Sequence, residues 1–354
     1  MTRNIAEIDP DFAVPANVFP EGLRFYNAKE APFGVYGVMP DEDCFRRMPQ
    51  DVAKSVSENV YQLHFHTAGG RIRFRSNSAR IAIFVQFNRV SKMSHFSFTG
   101  TMGFDLYEKQ GDKYRFAGTA IPELDVEKTM EYTWVFPDNS SREFLLHMPL
   151  YSGVEQLYIG LDEGAEVVEA PGYAYSKPVV YYGSSITQGG CASRPGNAYP
   201  NLLSKALDCD HINLGFSGSA RAEEAIAEYI CGLDMSVFVY DYDHNAPNPA
   251  YLEESHKKMF QMVRTAHPDL PIVMMTMPKA RHVFEAERQQ RFQIIRKNFE
   301  QVVAAGDRNV YLISGDELLG DCAEDATVDN CHPNDLGFYL MAQKLQPLLE
   351  KLLK

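Results

Sequence analysis

The chain changes its hydrophobic rhythm once, near residue 175, and that break constrains the fold more than any other feature. Ahead of it, apolar residues recur at every second position. Arg71-Ile72-Arg73-Phe74-Arg75 alternates strictly, and the pattern resumes at Ile81-Ala82-Ile83-Phe84-Val85-Gln86-Phe87. A period of two sends one set of side chains to a buried face and the other to water, as in a half-buried strand. Runs at 95–98, 103–107, 132–136, 143–148 and 156–161 fit the same template, with turn-forming clusters at 109–113 and 137–140 between them. No strong helical pattern interrupts this half beyond a short turn near 41–48. Many short strands at this spacing predict an all-β, jelly-roll-like sandwich.

Behind the break, short apolar runs alternate with long segments of helical period. Strands are expected at 178–182, 211–214, 237–240, 272–276 and 309–313, and helices at 222–231, 250–266, 284–305 and 335–353. In the third helix Phe284, Phe292, Ile295, Phe299 and Val302 fall on one face. Alternating β and α elements predict a parallel sheet with helices on both sides, a three-layer α/β/α domain. At 354 residues the chain exceeds what one core usually holds. The Pro- and Gly-containing segment 170–178 carries the composition shift, so the expected domains are 1–172 and 173–354.

Charge narrows the function. Lys and Arg number 34 against 47 Asp and Glu, a net charge of −13. A field of that sign repels phosphate backbones and anionic lipid, so neither a nucleic-acid nor a membrane partner is expected. The longest apolar runs, such as 272–277, fall short of the roughly 20 residues a membrane span needs. The first seven residues hold no apolar stretch of the secretory kind. The six cysteines (Cys44, Cys191, Cys209, Cys231, Cys322 and Cys331) form no CxxC pair. Free thiols and a cytoplasmic location follow as expectations, with room for a homo-oligomer.

In an open parallel sheet the loops leaving the carboxyl ends of the strands converge on one rim, where ligands bind. The first such loop is Gly183-Ser184-Ser185-Ile186-Thr187-Gln188-Gly189-Gly190, in which a serine hydroxyl directly follows a strand. The second holds Gly218, whose N–H can approach a ligand oxygen closely because there is no Cβ. The third holds Asn245, a side-chain amide donor, after Asp241, Asp243 and His244, which read as solvated or capping groups rather than metal ligands. Just before the last helix comes Asp329-Asn330-Cys331-His332. A carboxylate three residues ahead of a histidine can fold back on the imidazole, fix its tautomer and stabilise its cation. Taken in order, these loops supply a nucleophile, an Asp-His base and three oxyanion donors.

Those segments resemble the sequence blocks of the SGNH (GDSL-type) hydrolase superfamily over the last half of the chain. The resemblance implies a flavodoxin-like α/β/α domain in which Ser185 is the nucleophile and Asp329 and His332 complete a triad. It implies an oxyanion hole made by the Ser185 N–H, Gly218 and Asn245. Two positions depart from the family pattern: Ser184 stands where Asp is usual, and Asp243-His244-Asn245-Ala246 stands where Gly-x-Asn-Asp is usual. The earlier Gly103-Phe104-Asp105-Leu106-Tyr107 resembles the GxDLY domain found ahead of some bacterial SGNH hydrolase domains.

The expected chemistry is serine-esterase hydrolysis of short acyl esters through an acyl-enzyme, with no metal or organic cofactor. The polar loop 189–199 and the absence of a long apolar lid favour an acetyl group on a carbohydrate or similar polar carrier. Arg194 is the candidate for meeting an anionic group of that substrate, with an exposed structural arginine as the other reading. A lipid acylhydrolase or acyltransferase on the same site is the alternative chemistry, and a non-catalytic carbohydrate-binding scaffold the alternative class. His64 and His66 read as a surface pair on a strand, Cys331 as a space-filling thiol, and Trp134 as sandwich core or a sugar-stacking platform.

Overall fold

The computed structural model describes residue 9, residues 21–279 and residues 285–354. The expected absence of an N-terminal apolar stretch and the position of Phe284 lie outside the described residues.

Two antiparallel sheets face each other across the first half. One has the strand order Leu23–Asn27, Gly153–Asp162, Arg80–Arg89, Thr129–Val135. The other runs Val167–Val168, Arg71–Ser76, Arg142–His147, Phe104–Gln110, Lys113–Ala120, with Gly34–Tyr36 also paired to Arg71–Ser76. Alternation does what the sequence predicts on the inner faces. Ile81, Ile83, Val85 and Phe87 of one sheet close on Ile72, Phe74, Phe104, Leu106, Phe144 and Leu146 of the other. Trp134 belongs to this core, so its role is packing.

The outer face of the second sheet is not wet, because the other domain covers it. Arg71 and Arg73 point away from the sandwich core yet are buried. Arg71 donates to Asp210 Oδ1 at 2.8 Å and to the His211 carbonyl at 2.6 Å, both in the second half of the chain. Arg73 pairs with Glu143 at 2.9 Å and lies 4.2 Å from the Tyr173 ring centroid. Buried charges survive only with such partners.

Two local expectations fail. Residues 95–98 form no strand: Met93 and Phe96 make a single bridge, and the Ser97 side chain caps a one-turn helix, Phe98–Thr101. Residues 50–63 hold the helices Gln50–Val56 and Glu58–Leu63, where only an earlier turn was expected. They are short and contribute few buried apolar residues, so they carry little periodicity. Ala53 and Val60 join the core of the other domain, packing with Ile226 and Ala227. His64 and His66 follow the second helix and are buried, not a surface pair on a strand.

The second half is a parallel five-stranded sheet in the spatial order Cys209–Gly215, Tyr175–Gly183, Val237–Asp241, Ile272–Met275, Val310–Ile313. The chain therefore starts near one edge, steps outward once, then crosses back, which is the flavodoxin-like order. Successive residues of the first strand serve opposite layers. Val180 and Tyr182 pack under the helices Glu224–Cys231, Pro249–Ala266 and Glu285–Ala304. Val179 and Tyr181 pack under Tyr199–Leu207, a helix not among those expected, and Asp335–Leu352.

Candidate active site

The first strand delivers Ser185 to the rim. It ends at Gly183, where a Cβ would fall 1.6 Å from Asp241 Oδ1 and 2.2 Å from Thr187 Oγ1, so no side chain fits. Ser184 then caps a single helical turn, Ser185–Gln188, its Oγ accepting the Ile186 N–H at 3.2 Å. Serine and aspartate are both strong N-caps, so the departure at 184 preserves the turn. Gly189, at φ 103°, ends the turn in the left-handed region that glycine tolerates.

The last loop delivers the imidazole. His332 Nε2 lies 2.9 Å from Ser185 Oγ, and its Nδ1 lies 2.7 Å from Asp329 Oδ2. Asp329 Oδ1 accepts the backbone N–H groups of Cys331 at 3.1 Å and His332 at 2.7 Å. The Val328 N–H donates to the His332 carbonyl at 2.9 Å and closes the loop. Partial burial pushes the Asp329 carboxyl up, but the hydrogen bonds from the His332 and Cys331 N–H groups and the His332 ring outweigh it and hold the group below the usual carboxylate range. An ionised carboxylate only accepts, so Nδ1 carries the proton and Nε2 turns a lone pair toward the serine hydroxyl.

Two further loops meet at the same rim. Gly218 sits at φ 67° with open space where a Cβ would be, and its N–H finds no acceptor among the described residues. Asn245, in the short 3₁₀ turn Asp243–Asn245, donates from Nδ2 to the Phe216 carbonyl at 3.1 Å. That bond ties the Asn245 loop to the Gly218 loop and leaves the second amide N–H uncommitted.

Arg194 goes elsewhere. Its guanidinium donates to Asp105 Oδ2 at 2.9 Å, bonds the Tyr107 hydroxyl and lies 4.0 Å from the Phe116 ring centroid. Its charge is consumed between the domains, which corrects the expectation that it meets substrate. The same contacts explain the Gly103–Tyr107 motif. Asp105 also accepts the Gly196 N–H at 2.7 Å, and the Tyr107 hydroxyl accepts from Lys205 at 2.8 Å. The motif grips the hydrolase domain just beyond the serine loop.

Several supporting residues escaped the sequence reading because their partners are distant in sequence. Tyr151, from the first half, donates its hydroxyl to the Ser185 carbonyl at 3.3 Å. Gln188 is fully buried. Its amide donates to the Leu150 carbonyl at 3.1 Å and to His66 Nδ1 at 3.0 Å, while its Oε1 accepts the Ser217 N–H at 3.1 Å. One side chain thus links the serine turn, the Gly218 loop and the sandwich domain. His95 of the sandwich domain brings its ring centroid to 6.2 Å from that of His332.

Asp241 and Asp243 are buried, not solvated. Burial lifts the Asp241 carboxyl to about 8, against hydrogen bonds from Thr187 and Tyr199. Burial likewise lifts Asp243 to about 6 while it accepts the Met277 N–H at 2.9 Å. Burial, then the nearby His332 and Arg291, press His244 down to about 4. These groups hold the loops under the rim.

A doubly wound sheet with a serine, an imidazole and a carboxylate in hydrogen-bonded series at its carboxyl edge defines the class: an ester hydrolase. Residues 176–350 match the GDSL-like lipase/acylhydrolase family, and residues 23–167 match the N-terminus of SGNH hydrolase-type esterases, the GxDLY domain. A Bacteroides ovatus protein described as a GDSL-like lipase is 30% identical over 94% of this chain and 98% of its own, with a TM-score of 0.85. The chain belongs to the GDSL-like lipase/acylhydrolase (SGNH) family, in a two-domain form with a GxDLY sandwich in front.

Two more distant structures share the fold. The salicylyl-acyltransferase SsfX3 from a tetracycline biosynthetic pathway is 18% identical over 94% of this chain and 98% of its own, TM-score 0.76. An acetyl xylan esterase from Butyrivibrio proteoclasticus is 12% identical over 93% and 98%, TM-score 0.56. Among curated proteins no relative matches. No helix of the described residues is long and apolar enough to cross a membrane.

Proposed function

We propose that this protein is a serine esterase that removes short acyl groups, acetyl foremost, from a carbohydrate or similar polar carrier, with domains 1–172 and 173–354 acting as one unit. The observation that carries the reading is the 2.9 Å approach of Ser185 Oγ to a His332 ring whose far nitrogen is held by Asp329. In this scheme His332 Nε2 takes the Ser185 proton as the oxygen attacks the ester carbonyl. The oxyanion is met by the N–H groups of Ser185 and Gly218 and by the free N–H of Asn245. Each such donor typically contributes roughly 3–4 kcal/mol to the transition state. The imidazolium then protonates the leaving alkoxide. Water, deprotonated by the same nitrogen, releases the acid and restores the serine.

The preference for a small acyl group on a polar carrier rests on the surroundings. Gly190 is hemmed in by the Tyr151 hydroxyl and the His332 ring, and residues 192–196 are pinned under the sandwich domain rather than forming an apolar lid. The fold neighbour described as an acetyl xylan esterase supplies a precedent. All six cysteines are unpaired, which suits a reducing, cytoplasmic setting. The test is an ester panel from acetyl to dodecanoyl, with acetylated sugars and a Ser185→Ala control. Turnover should be fastest on acetyl esters and fall by several orders of magnitude in the variant. Equal turnover in Ser185→Ala would reject the mechanism, and a maximum at long chains would reject the substrate class.

A further inference from the structure

The proposed hydrolysis leaves one buried nucleophilic atom beside the triad without a task. Cys191 is 7% exposed and has a left-handed backbone, φ 73°, which few residues other than glycine adopt. Its Sγ, a ring nitrogen of His95 and a ring nitrogen of His332 all lie within 4.8 Å of one another. The three come from separate places: the sandwich domain, the loop after the serine turn, and the C-terminal loop.

We propose that His95, Cys191 and His332 form a zinc site that switches the esterase off. Two imidazoles and a thiolate are the borderline-to-soft donors that zinc selects, whereas magnesium and calcium require oxygen ligands. Zinc–nitrogen bonds of about 2.0–2.1 Å and zinc–sulfur bonds of about 2.3 Å put tetrahedral ligands roughly 3.3–3.8 Å apart. Closing the cluster to that size takes a movement of about 1 Å. His95 is exposed and able to supply it, being anchored by a short bridge rather than a sheet. A water would complete the tetrahedron.

His332 is already arranged as a metal ligand. Its Nδ1 is held by Asp329, so Nε2 is the atom it offers, and a carboxylate behind a ligating imidazole is the usual outer-shell support. On binding, the Cys191 thiol proton leaves to solvent and the sulfur and Nε2 lone pairs go to the metal; no electron is transferred. The Nε2 lone pair that would deprotonate Ser185 is then occupied. Inhibition follows from the proposed mechanism, but the binding itself does not depend on it.

The test uses the full chain and Co²⁺ as a spectroscopic stand-in, followed by Zn²⁺ competition. The wild type should show a thiolate-to-cobalt charge-transfer band that zinc abolishes and that Cys191→Ser lacks. His95→Ala should weaken affinity by at least about tenfold, since even outer-shell partners are worth roughly 10–100-fold. In parallel, Zn²⁺ should suppress acetyl-ester turnover reversibly by chelator. Cys191→Ser should keep its basal turnover and lose that sensitivity. Cys191→Ala serves the same purpose should the serine variant fail to fold. Cobalt binding without the charge-transfer band, or zinc affinity in the cysteine variants equal to that of the wild type, overturns the site. A charge-transfer band in a protein with no esterase activity upholds the site and overturns only the proposed reaction.

Discussion

Replacing Asp329 with Asn tests the relay with little disturbance of the fold. The carboxylate does two jobs through its two oxygens. Oδ1 accepts the N–H groups of Cys331 and His332, while Oδ2 accepts from His332 Nδ1 at 2.7 Å. In the variant, Oδ1 still serves the two backbone donors, so the loop keeps its shape. The amide NH₂ now faces Nδ1. Two donors cannot bond each other, so the ring is driven to carry its proton on Nε2, where it no longer accepts from Ser185.

The variant also removes the charge that stabilises the imidazolium. Charge centres about 4 Å apart interact by roughly 1 kcal/mol in water and 4 kcal/mol at a protein surface. The side chains of His332 and Asp329 are 24% and 32% exposed, so this pair falls between those limits. Each 1.4 kcal/mol is about tenfold in rate, and the tautomer penalty adds to it. The expected fall in kcat/KM is roughly 10²–10³-fold, below the ~10⁴ seen where such an aspartate is fully buried. Steady-state hydrolysis of an acetyl ester and a thermal melt together decide the matter. A loss under about fivefold in a folded variant would refute the relay. A comparable loss accompanied by a melting point several degrees lower would make Asp329 a loop cap and no more.

Three further outcomes follow from the same geometry. In Gly190→Ala the new Cβ would lie 2.9 Å from the Tyr151 hydroxyl and 3.2 Å from His332 Cδ2, so kcat should fall while the circular-dichroism spectrum stays unchanged. Arg194→Ala strips the buried Asp105 carboxylate of its cation and should destabilise by up to about 3–5 kcal/mol in denaturant titration, with KM for a neutral acetyl ester unaffected. A raised KM without lost stability would return Arg194 to substrate binding. His66 is pressed down to about 3 by burial, then by Arg47 and Arg89. As pH falls from the ordinary 6.5, the unfolded ring gains a proton that the native ring refuses, so stability present above that pH is lost toward 3. His66→Gln should remove about 1.4 kcal/mol per pH unit from the slope of stability between those limits; an unchanged slope would refute the assignment.

Much of this protein is written locally. Strand alternation at 71–75 and 81–87 and the β–α rhythm after 175 announce two architectures, because a period of 2 or 3.6 is a property of neighbouring residues. The serine loop and the Asp329–His332 pair were legible for the same reason, since each lies within one turn of chain. Where periodicity thinned, legibility ended: residues 50–63 hold helices of seven and six residues, too short to show a stripe.

What the tertiary structure alone decided is which distant groups share a wall. It set Ser185 against His332, 147 positions apart in the chain. It buried Arg71 and Arg73 on a face that alternation assigned to water, and it drew Arg194 away from the rim to Asp105. It also brought His95 and Tyr151 of the sandwich to the hydrolase rim. Local patterns fix the direction each side chain takes from its own backbone; what it meets depends on how two finished domains pack, and that is settled by surfaces no single stretch of sequence contains.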